Sequence, residues 1–423
     1  MALPSPYSLQ AKTIFSKYPI VIKSYGQSMT PLLYDGDIVF IKRIAFSKVS
    51  VNDIVCARKR EKVFTHRVIY KKGDYIVTKG DNNNLSDGKL YERNLIGVVY
   101  QVKRNGDVFN PESLYLIQST LYFKEIVKVK KAFERAKIDF IFLKGLPLHL
   151  FFEESHPRRV YADTDVLLSK TEFLKVREIF EKEGYTCIDS DSTDIQRGLR
   201  YKITEVSFIK VVDGWPILWD VHFEIKFTMS HLKNIHQLYS LNLINNLTRT
   251  FLEEKRSIKI QNEVFPILSA ENLFIYLILH LFRHNFKGFY RMELIAKIVQ
   301  NHNLDYKLIS EKINKYMLKN FMWPAISLLA DSYKIEFPAS FIKSNEPGII
   351  TIKFINKYIL KTDSFYDNER IGTGIERFRN ILFLSEVSFF NKVLIVFNPQ
   401  VLYSGFWVIL HKMILNYSVR KKI

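Results

Sequence analysis

The sequence predicts an α+β chain of two domains: a small β-rich domain, then a mixed α/β domain that ends in a helical region. Three observations predict it. Apolar and polar residues alternate in short runs over residues 20–104. Past Asn105-Gly106-Asp107 and Asn110-Pro111 the apolar period becomes helical, and strands and helices then mix. From about residue 268 onward the pattern is mainly helical. The expected domains are therefore 1–107, 108–265 and the helical region 266–423, and 423 residues supply ample core for them.

Taken in order, alternating segments recur at 20–25, 37–44, 53–60, 63–72, 74–80 and 95–104. Turn signals separate them at Asp35-Gly36-Asp37, Lys72-Gly73-Asp74 and Asp87-Gly88. Residues 112–136 predict a long amphipathic helix. A strand follows at 138–143, closed by a Lys144-Gly145 turn, and a second strand at 163–168. Thr171–Glu183 predicts a helix ending near Gly184, and 203–212 and 217–225 predict two more strands. The chain shows no internal repeat or low-complexity tract.

Composition narrows the function. Hydrophobic residues at 47% and charged residues at 25% exclude a largely disordered chain. The net charge is +19, and residues 1–107 carry 18 basic against 9 acidic side chains, almost half of the excess. Such a surface suits nucleotides, acidic peptides or anionic lipid. The lysines are dispersed, with no arginine-rich arm or aromatic RNA-binding signature, so specific nucleic-acid binding is not expected. Cys56 and Cys187 alone build neither a disulfide framework nor a cysteine-rich zinc site, which fits a reducing compartment. The N-terminal stretch has no apolar run long enough for a signal peptide or membrane span.

Two constellations carry chemistry. The first begins at SYGQSMTPLLYDGDIVFI, residues 24–41, where Gly26 precedes Ser28 and Pro31 follows it. A serine at a constrained turn can present its hydroxyl to a cleft, but it needs a base to accept its proton. His66 in FTHRVI is the candidate base, and Asp81 in TKGDNN or Asp87 in LSDGKLYE the candidate carboxylate to orient it. The blocks GQSMTPLLYDGDIVFI, VNDIVCA, THRVI, VTKGDNNNLSDGKLY and LIGVVYQV, in that order over residues 24–104, resemble the signal-peptidase family. The likeness is to the eukaryotic, archaeal and sporulation-type branch, whose base is a histidine. Repressor-type relatives use a Ser-Lys dyad, and the 63–69 block offers His66 instead. The resemblance implies a serine endopeptidase without a cofactor, with Ser28 as nucleophile, His66 as general base and Asp87 or Asp81 as orienting acid. It implies a peptide or precursor-protein substrate. The family's N-terminal membrane anchor has no counterpart here, so a leader or precursor peptide replaces the usual membrane-bound substrate as the expectation.

The second constellation is IDFIFLKGLPLHLFFEESHPRRVYADTDVLL, residues 138–168. Alternate residues on a strand share a face, so Asp163 and Asp165 can meet at one site, and paired carboxylates suit Mg²⁺. A further carboxylate is expected on a later strand, where Asp220 in ILWDVHFEI shares its face with His222 and Glu224. These segments resemble the polymerase-beta-like nucleotidyltransferase superfamily, and more closely an uncharacterised branch with LKG at the turn. WDVHFEI and LSAENLFIYLILHLFRH extend the resemblance over about residues 110–415. It implies Mg²⁺ on Asp163 and Asp165, with Asp220 as third ligand or as base for the acceptor hydroxyl. It implies nucleoside triphosphate as substrate, its oxygens met by Lys144, the Gly145 amide and Arg159. His280 and His284 lie four apart on one helix face, as cleft-lining or packing residues rather than a zinc pair.

Val393–Leu410 is an uncharged run interrupted by Asn398-Pro399-Gln400. It suits a buried helix of the C-terminal region, or, with Phe406, Trp407, Lys412, Arg420, Lys421 and Lys422, an interfacial tail at 393–415 on anionic lipid. The joint expectation is a bifunctional peptidase and nucleotidyltransferase that is cytoplasmic or peripheral at the inner face of a membrane. Its alternatives are a transferase with an inactive peptide-binding β domain, and a non-catalytic adaptor for peptide and nucleotide.

Overall fold

The computed structural model describes residues 19–83, 85–152, 160–161, 163–188, 203–229, 235–360 and 373–403. These fall into two compact units, 19–121 with 160–161, and the described residues from Tyr122 onward without those two.

The first unit is an eight-stranded sheet of β1 Ile20–Lys23, β2 Ile38–Lys42, β3 Ile54–Lys59, β4 Lys62–Lys72, β5 Tyr75–Lys79, β6 Ser86–Tyr91, β7 Leu95–Arg104 and β8 Asp107–Phe109. Its order is β1-β2-β7-β3-β4-β5-β6, with β8 on β7. The predicted strands are all present. Val55, Ala57, Val68, Ile76, Leu90 and Val98 form a core closed by Phe46 and Val49. Fully burying a valine, isoleucine or leucine side chain contributes roughly 1.5–3 kcal/mol.

Asp87-Gly88 is not a turn. It lies inside β6, where Gly88 takes φ 75°. Thr78 pairs with Gly88 and Lys79 with Ser86, so Asp87 is an extra residue between them. That is a β-bulge, which bends the strand and re-aims a side chain, and a glycine tolerates the left-handed backbone beside it. Asn105-Gly106 forms the tip between β7 and β8, both at positive φ, as a two-residue hairpin requires. The helix α1 Pro111–Arg135 starts with proline at its first position, and the Asn110 side chain caps the Ser113 amide at 2.7 Å.

The second unit is built on a seven-stranded mixed sheet. After β9 Phe140–Lys144 come α2 Leu146–Phe152, β10 Thr164–Leu168, α3 Phe173–Lys182, β11 Thr186–Ile188, β12 Glu205–Val212 and β13 Trp215–His222. Then follow α4 Leu241–Glu253 and the hairpin of β14 Arg256–Ile260 and β15 Glu263–Ile267. The order is β11-β12-β13-β10-β9-β15-β14. Composition alone did not separate the short strands β11, β14 and β15 from loop; three to five residues, one of them Pro266, carry too weak a period. Along β13 the odd positions Ile217, Trp219 and Val221 are buried in an aromatic core with Phe133, Phe142 and Phe180. The even positions Asp220 and His222 therefore face the opposite side. Helices fill the rest, beginning with α5 Ala270–Arg283 and α6 Phe289–Asn301 and including Thr373–Leu384 and Phe389–Val396.

No helix among the described residues is long and apolar enough to cross a membrane. In the described part of the uncharged C-terminal run, Phe397 and Leu402 are 73% and 58% exposed while Ile395 and Val401 are buried, so this part is buried on one side only. Residues 404–423, with most of the expected tail at 393–415, lie outside the described residues, as do Arg158 and Arg159.

Candidate functional site

Ser28 sits at the mouth of a tight helical turn. Gly26 at φ 83° leads into it, its amide donating to Asp35 Oδ1 at 2.9 Å. Buried Met29, Leu32 and Leu33 anchor the turn from below, so half-buried Ser28 stays at the surface of the fold. The loop after β5 clamps it from above: the Asn82 amide donates to Ser28 O at 2.8 Å and the Asn82 side chain to Gln27 O at 3.1 Å. Gly80 is required for that approach, because a Cβ there would lie 2.5 Å from Ser28 O.

His66, buried on β4, joins Ser28 to Asp87. Its Nε2 lies 3.0 Å from Ser28 Oγ and its Nδ1 lies 2.7 Å from Asp87 Oδ2. The bulge in β6 aims the Asp87 carboxylate across β5 at the histidine. Thr78, on the intervening strand, donates its hydroxyl to Asp87 Oδ2 at 2.7 Å. The network assigns the proton to Nδ1 and leaves Nε2 to accept from the serine hydroxyl. Asp81 does not face His66. It takes a bidentate ion pair from buried Arg67 at 2.6 and 2.7 Å, and Arg67 also donates to Tyr115 on α1. Asp81 thus fixes the loop that clamps Ser28. Cys56 is a buried thiol whose pKa burial pushes up to about 11, so it offers no competing nucleophile.

The second constellation follows from strand register. Asp165 on β10 pairs with Asp220 on parallel β13, and on its other side with Lys144 on antiparallel β9. Asp163, just before β10, completes a cluster whose carboxylate oxygens lie within 4.8 Å of one another. Gly145 follows β9 at φ 103°, a left-handed backbone that favours glycine, and a Cβ there would lie 3.5 Å from Asp163 O. Lys144 is the departure from expectation. Its ammonium lies 2.6 Å from Asp165 Oδ2 and 3.2 Å from Asp163 Oδ2, on the carboxylates and not directed away to a phosphate site. Burial alone would pull that ammonium down, but Asp165 and Asp163 more than reverse it and hold it well above its ordinary range.

The neighbours of these carboxylates are cross-strand residues. Ser207 on β12 pairs with Asp220 and donates to its Oδ1 at 2.6 Å. His222 reaches diagonally to Asp165 Oδ1 at 2.8 Å, and its Nδ1 lies 3.3 Å from Glu205, which Lys226 and Arg283 also pair. Burial raises Asp165, yet Lys144 and His222 outweigh it and keep the acid below its ordinary value. Asp220 goes the other way, raised by burial and then by the charge of Asp165. Three carboxylates against one ammonium leave two formal negative charges on hard oxygen donors. That donor set and charge fit a divalent cation such as Mg²⁺ or Mn²⁺. Glu224, expected on the face of Asp220, is buried beyond the end of β13 and is not in the cluster.

Comparison with known proteins agrees with both constellations at the level of the domain. Residues 6–100 match the family model described as Peptidase S24-like, so a domain of that kind is present. No curated protein and no solved structure matches the chain. Residues 113–334, more than half of the chain, match the model described as an uncharacterised nucleotidyltransferase, and the chain belongs to that family.

Proposed function

We propose that the chain is a bifunctional enzyme: a serine endopeptidase that cuts a leader or precursor peptide, joined to a divalent-metal-dependent nucleotidyltransferase. The observation that carries the first half is the unbroken line Ser28 Oγ, His66 Nε2, His66 Nδ1, Asp87 Oδ2 at 3.0 and 2.7 Å. In this reading Ser28 Oγ bonds to the scissile carbonyl carbon while its proton passes to His66 Nε2. Asp87 holds the ring and stabilises its charged form, with Thr78 holding Asp87. The C–N bond then breaks, the proton goes to the leaving amine, and water releases the acyl group by the same base.

Asp87→Asn should therefore reduce cleavage far more than Asp81→Asn in direct action on the histidine. Asp81→Asn should act through the Ser28 clamp and lower thermal stability as well. Kinetics paired with thermal melts separate them, and the reverse ranking at unchanged stability would exchange their roles.

In the transferase half, Asp163, Asp165 and Asp220 would hold the metal, which when bound neutralises phosphate oxygens of a nucleoside triphosphate. The chain's own residues orient the ligands: Ser207 fixes Asp220, and His222 with Lys144 fixes Asp165. Where Asp220 does not ligate the metal, its alternative role is to take the proton of an acceptor hydroxyl. A second reading, nucleotide binding without transfer, draws on Lys144 resting on two of the three carboxylates. Incubation with labelled nucleoside triphosphates and a serine-directed covalent probe tests both halves. Incorporation of label sinks the second reading, and no reaction at Ser28 sinks the first half of the proposal.

Nucleoside triphosphate and Mg²⁺ place both activities on the cytosolic side. Exposed Phe389, Phe390 and Phe397, with Lys412, Arg420, Lys421 and Lys422 later in the sequence, are what a peripheral attachment to anionic lipid would use. Protease treatment of intact cells should leave the chain uncut, and high salt should wash it from membranes. Digestion from outside would contradict the placement.

A further inference from the structure

Asp165 and Asp220 sit inside the parallel ladder of β10 and β13, which begins at the pair Thr164 and Trp219. Asp163 precedes β10, where no strand partner holds its backbone among the described residues. The helix α1 supplies a hold at that end. The Gln118 side chain donates from Nε2 to Tyr161 O at 2.6 Å and accepts at Oε1 from Tyr161 N at 3.0 Å. One amide thus meets both bonding groups of a single residue, as a neighbouring strand would, two residues before Asp163. Four residues along α1, on the same face, the Tyr122 hydroxyl accepts from Leu218 N at 3.2 Å. Leu218 stands two residues before Asp220. Gln118 and Tyr122 are both fully buried, and about 6 Å of helix rise separates them. The Gln118–Tyr161 contact lies inside the first unit and the Tyr122–Leu218 contact inside the second. Farther along, α1 sets Phe133 on Trp219, on the face of β13 opposite to Asp220. The helix therefore acts on the backbone that carries the carboxylates.

We propose that Gln118 and Tyr122 are positioning residues for the carboxylate cluster: they hold the backbone that presents Asp163 and Asp220, and so set the spacing that a divalent cation meets. The proposal rests on reading the cluster as a metal site. Ser207 and Lys144 orient the carboxylates of Asp220 and Asp163, whereas Gln118 and Tyr122 fix where those side chains start. Replacing either residue leaves all three carboxylates in place, so the charge offered to a cation does not change. What changes is geometry, and cations differ in how much of that they tolerate. Mg²⁺ demands near-ideal octahedral oxygen ligation at short distances, while Ca²⁺ accepts a larger and more flexible shell. A cluster released from its spacing should therefore lose the small cation more than the large one.

The test is Mn²⁺ binding to the full chain by electron paramagnetic resonance, with Mg²⁺ and Ca²⁺ as competitors, at a temperature where melts show each variant folded. Gln118→Met keeps the length of the side chain and removes both of its bonds. It leaves a buried N–H and C=O unpaired, so its melting temperature should fall as well. Tyr122→Phe removes the hydroxyl alone, and it carries the test by itself where Gln118→Met does not fold. Mn²⁺ and Mg²⁺ affinity should fall about tenfold in Gln118→Met and about threefold in Tyr122→Phe, with Ca²⁺ affinity changed less. Tyr239→Phe is the control: it removes another buried phenol hydroxyl, one that donates to Tyr316 O, and should leave all three affinities unchanged. Wild-type affinities in Gln118→Met and Tyr122→Phe, beside weakened binding in Asp163→Asn, overturn the proposal and leave the metal reading standing. An equal loss for all three cations, or the same loss in Tyr239→Phe, also overturns it, since the variants would then act through stability alone. No Mn²⁺ binding by wild type removes the metal reading and this proposal with it.

Discussion

Ser28→Ala should abolish peptide cleavage, lowering the rate by roughly 10⁴–10⁶-fold, as loss of a triad nucleophile does. The expectation rests on what the hydroxyl does and does not hold. Its one described side-chain partner is His66 Nε2 at 3.0 Å, and the turn around it is held by its own backbone, by buried Met29 and Leu32, and by Asn82. Losing the hydroxyl should therefore change stability by no more than about 1 kcal/mol. Cleavage of a synthetic peptide library, read by mass spectrometry beside a thermal melt, makes the comparison. A variant that still cuts, or one that loses activity only because it unfolds, would remove Ser28 from its role. His66→Ala should match it in activity. Covalent labelling by a serine-directed probe should vanish in Ser28→Ala, while buried Cys56 stays unmodified.

What could be read from the sequence divides by how far apart the partners lie and what brings them together. Ser28, His66, Asp163 and Asp165 stand in local motifs, so residue type and spacing identified them. Asp87 and Asp81 could not be separated, because a single extra residue in β6 decides which one faces His66, and a bulge leaves only Asp-Gly as its trace. In sequence the same dipeptide is an ordinary turn signal. Thr78, Ser207 and Glu205 were missed altogether. Each acts on a residue of the adjacent strand, and a threonine, serine or glutamate in a strand carries no local sign of such a role. Lys144 was identified as a site residue but with a different partner. Its position at the end of β9 was legible; that β9 lies antiparallel beside Asp165 was not, and that register puts its ammonium on the carboxylates. Long helices and alternating strands were legible because their period repeats. The short strands β11, β14 and β15 belong to a sheet whose order emerges only from tertiary pairing.

Asp163→Asn should eliminate metal-dependent nucleotide transfer, by about 10³-fold or more, because an amide replaces an anionic oxygen of the cluster. It is the cleaner of the two obvious substitutions. Asp163 has 35% of its side chain exposed, and Lys144 keeps Asp165 as partner when Asp163 is neutralised. Asp165→Asn should abolish transfer as well but at a structural cost. Its side chain is 3% exposed, and it holds both Lys144 and His222, so its loss strips a buried ion pair of its anion. Breaking such a pair from one side costs about 3–5 kcal/mol. The sign of the pH dependence follows. Asp165 is held below its ordinary value in the fold, so its stabilisation is complete above the unfolded carboxyl pKa, about 3.9, and is lost as pH falls through its lower folded value. The melting temperature of Asp165→Asn should thus lie well below that of wild type at neutral pH, and the gap should close only in strong acid. Asp163→Asn should show little gap at any pH. Mn²⁺ binding measured by electron paramagnetic resonance should weaken in both variants. Retained Mn²⁺ affinity in Asp163→Asn together with retained transfer would take the metal off this cluster, and a pH-independent gap for Asp165→Asn would show that its role in the fold is not that of an anion.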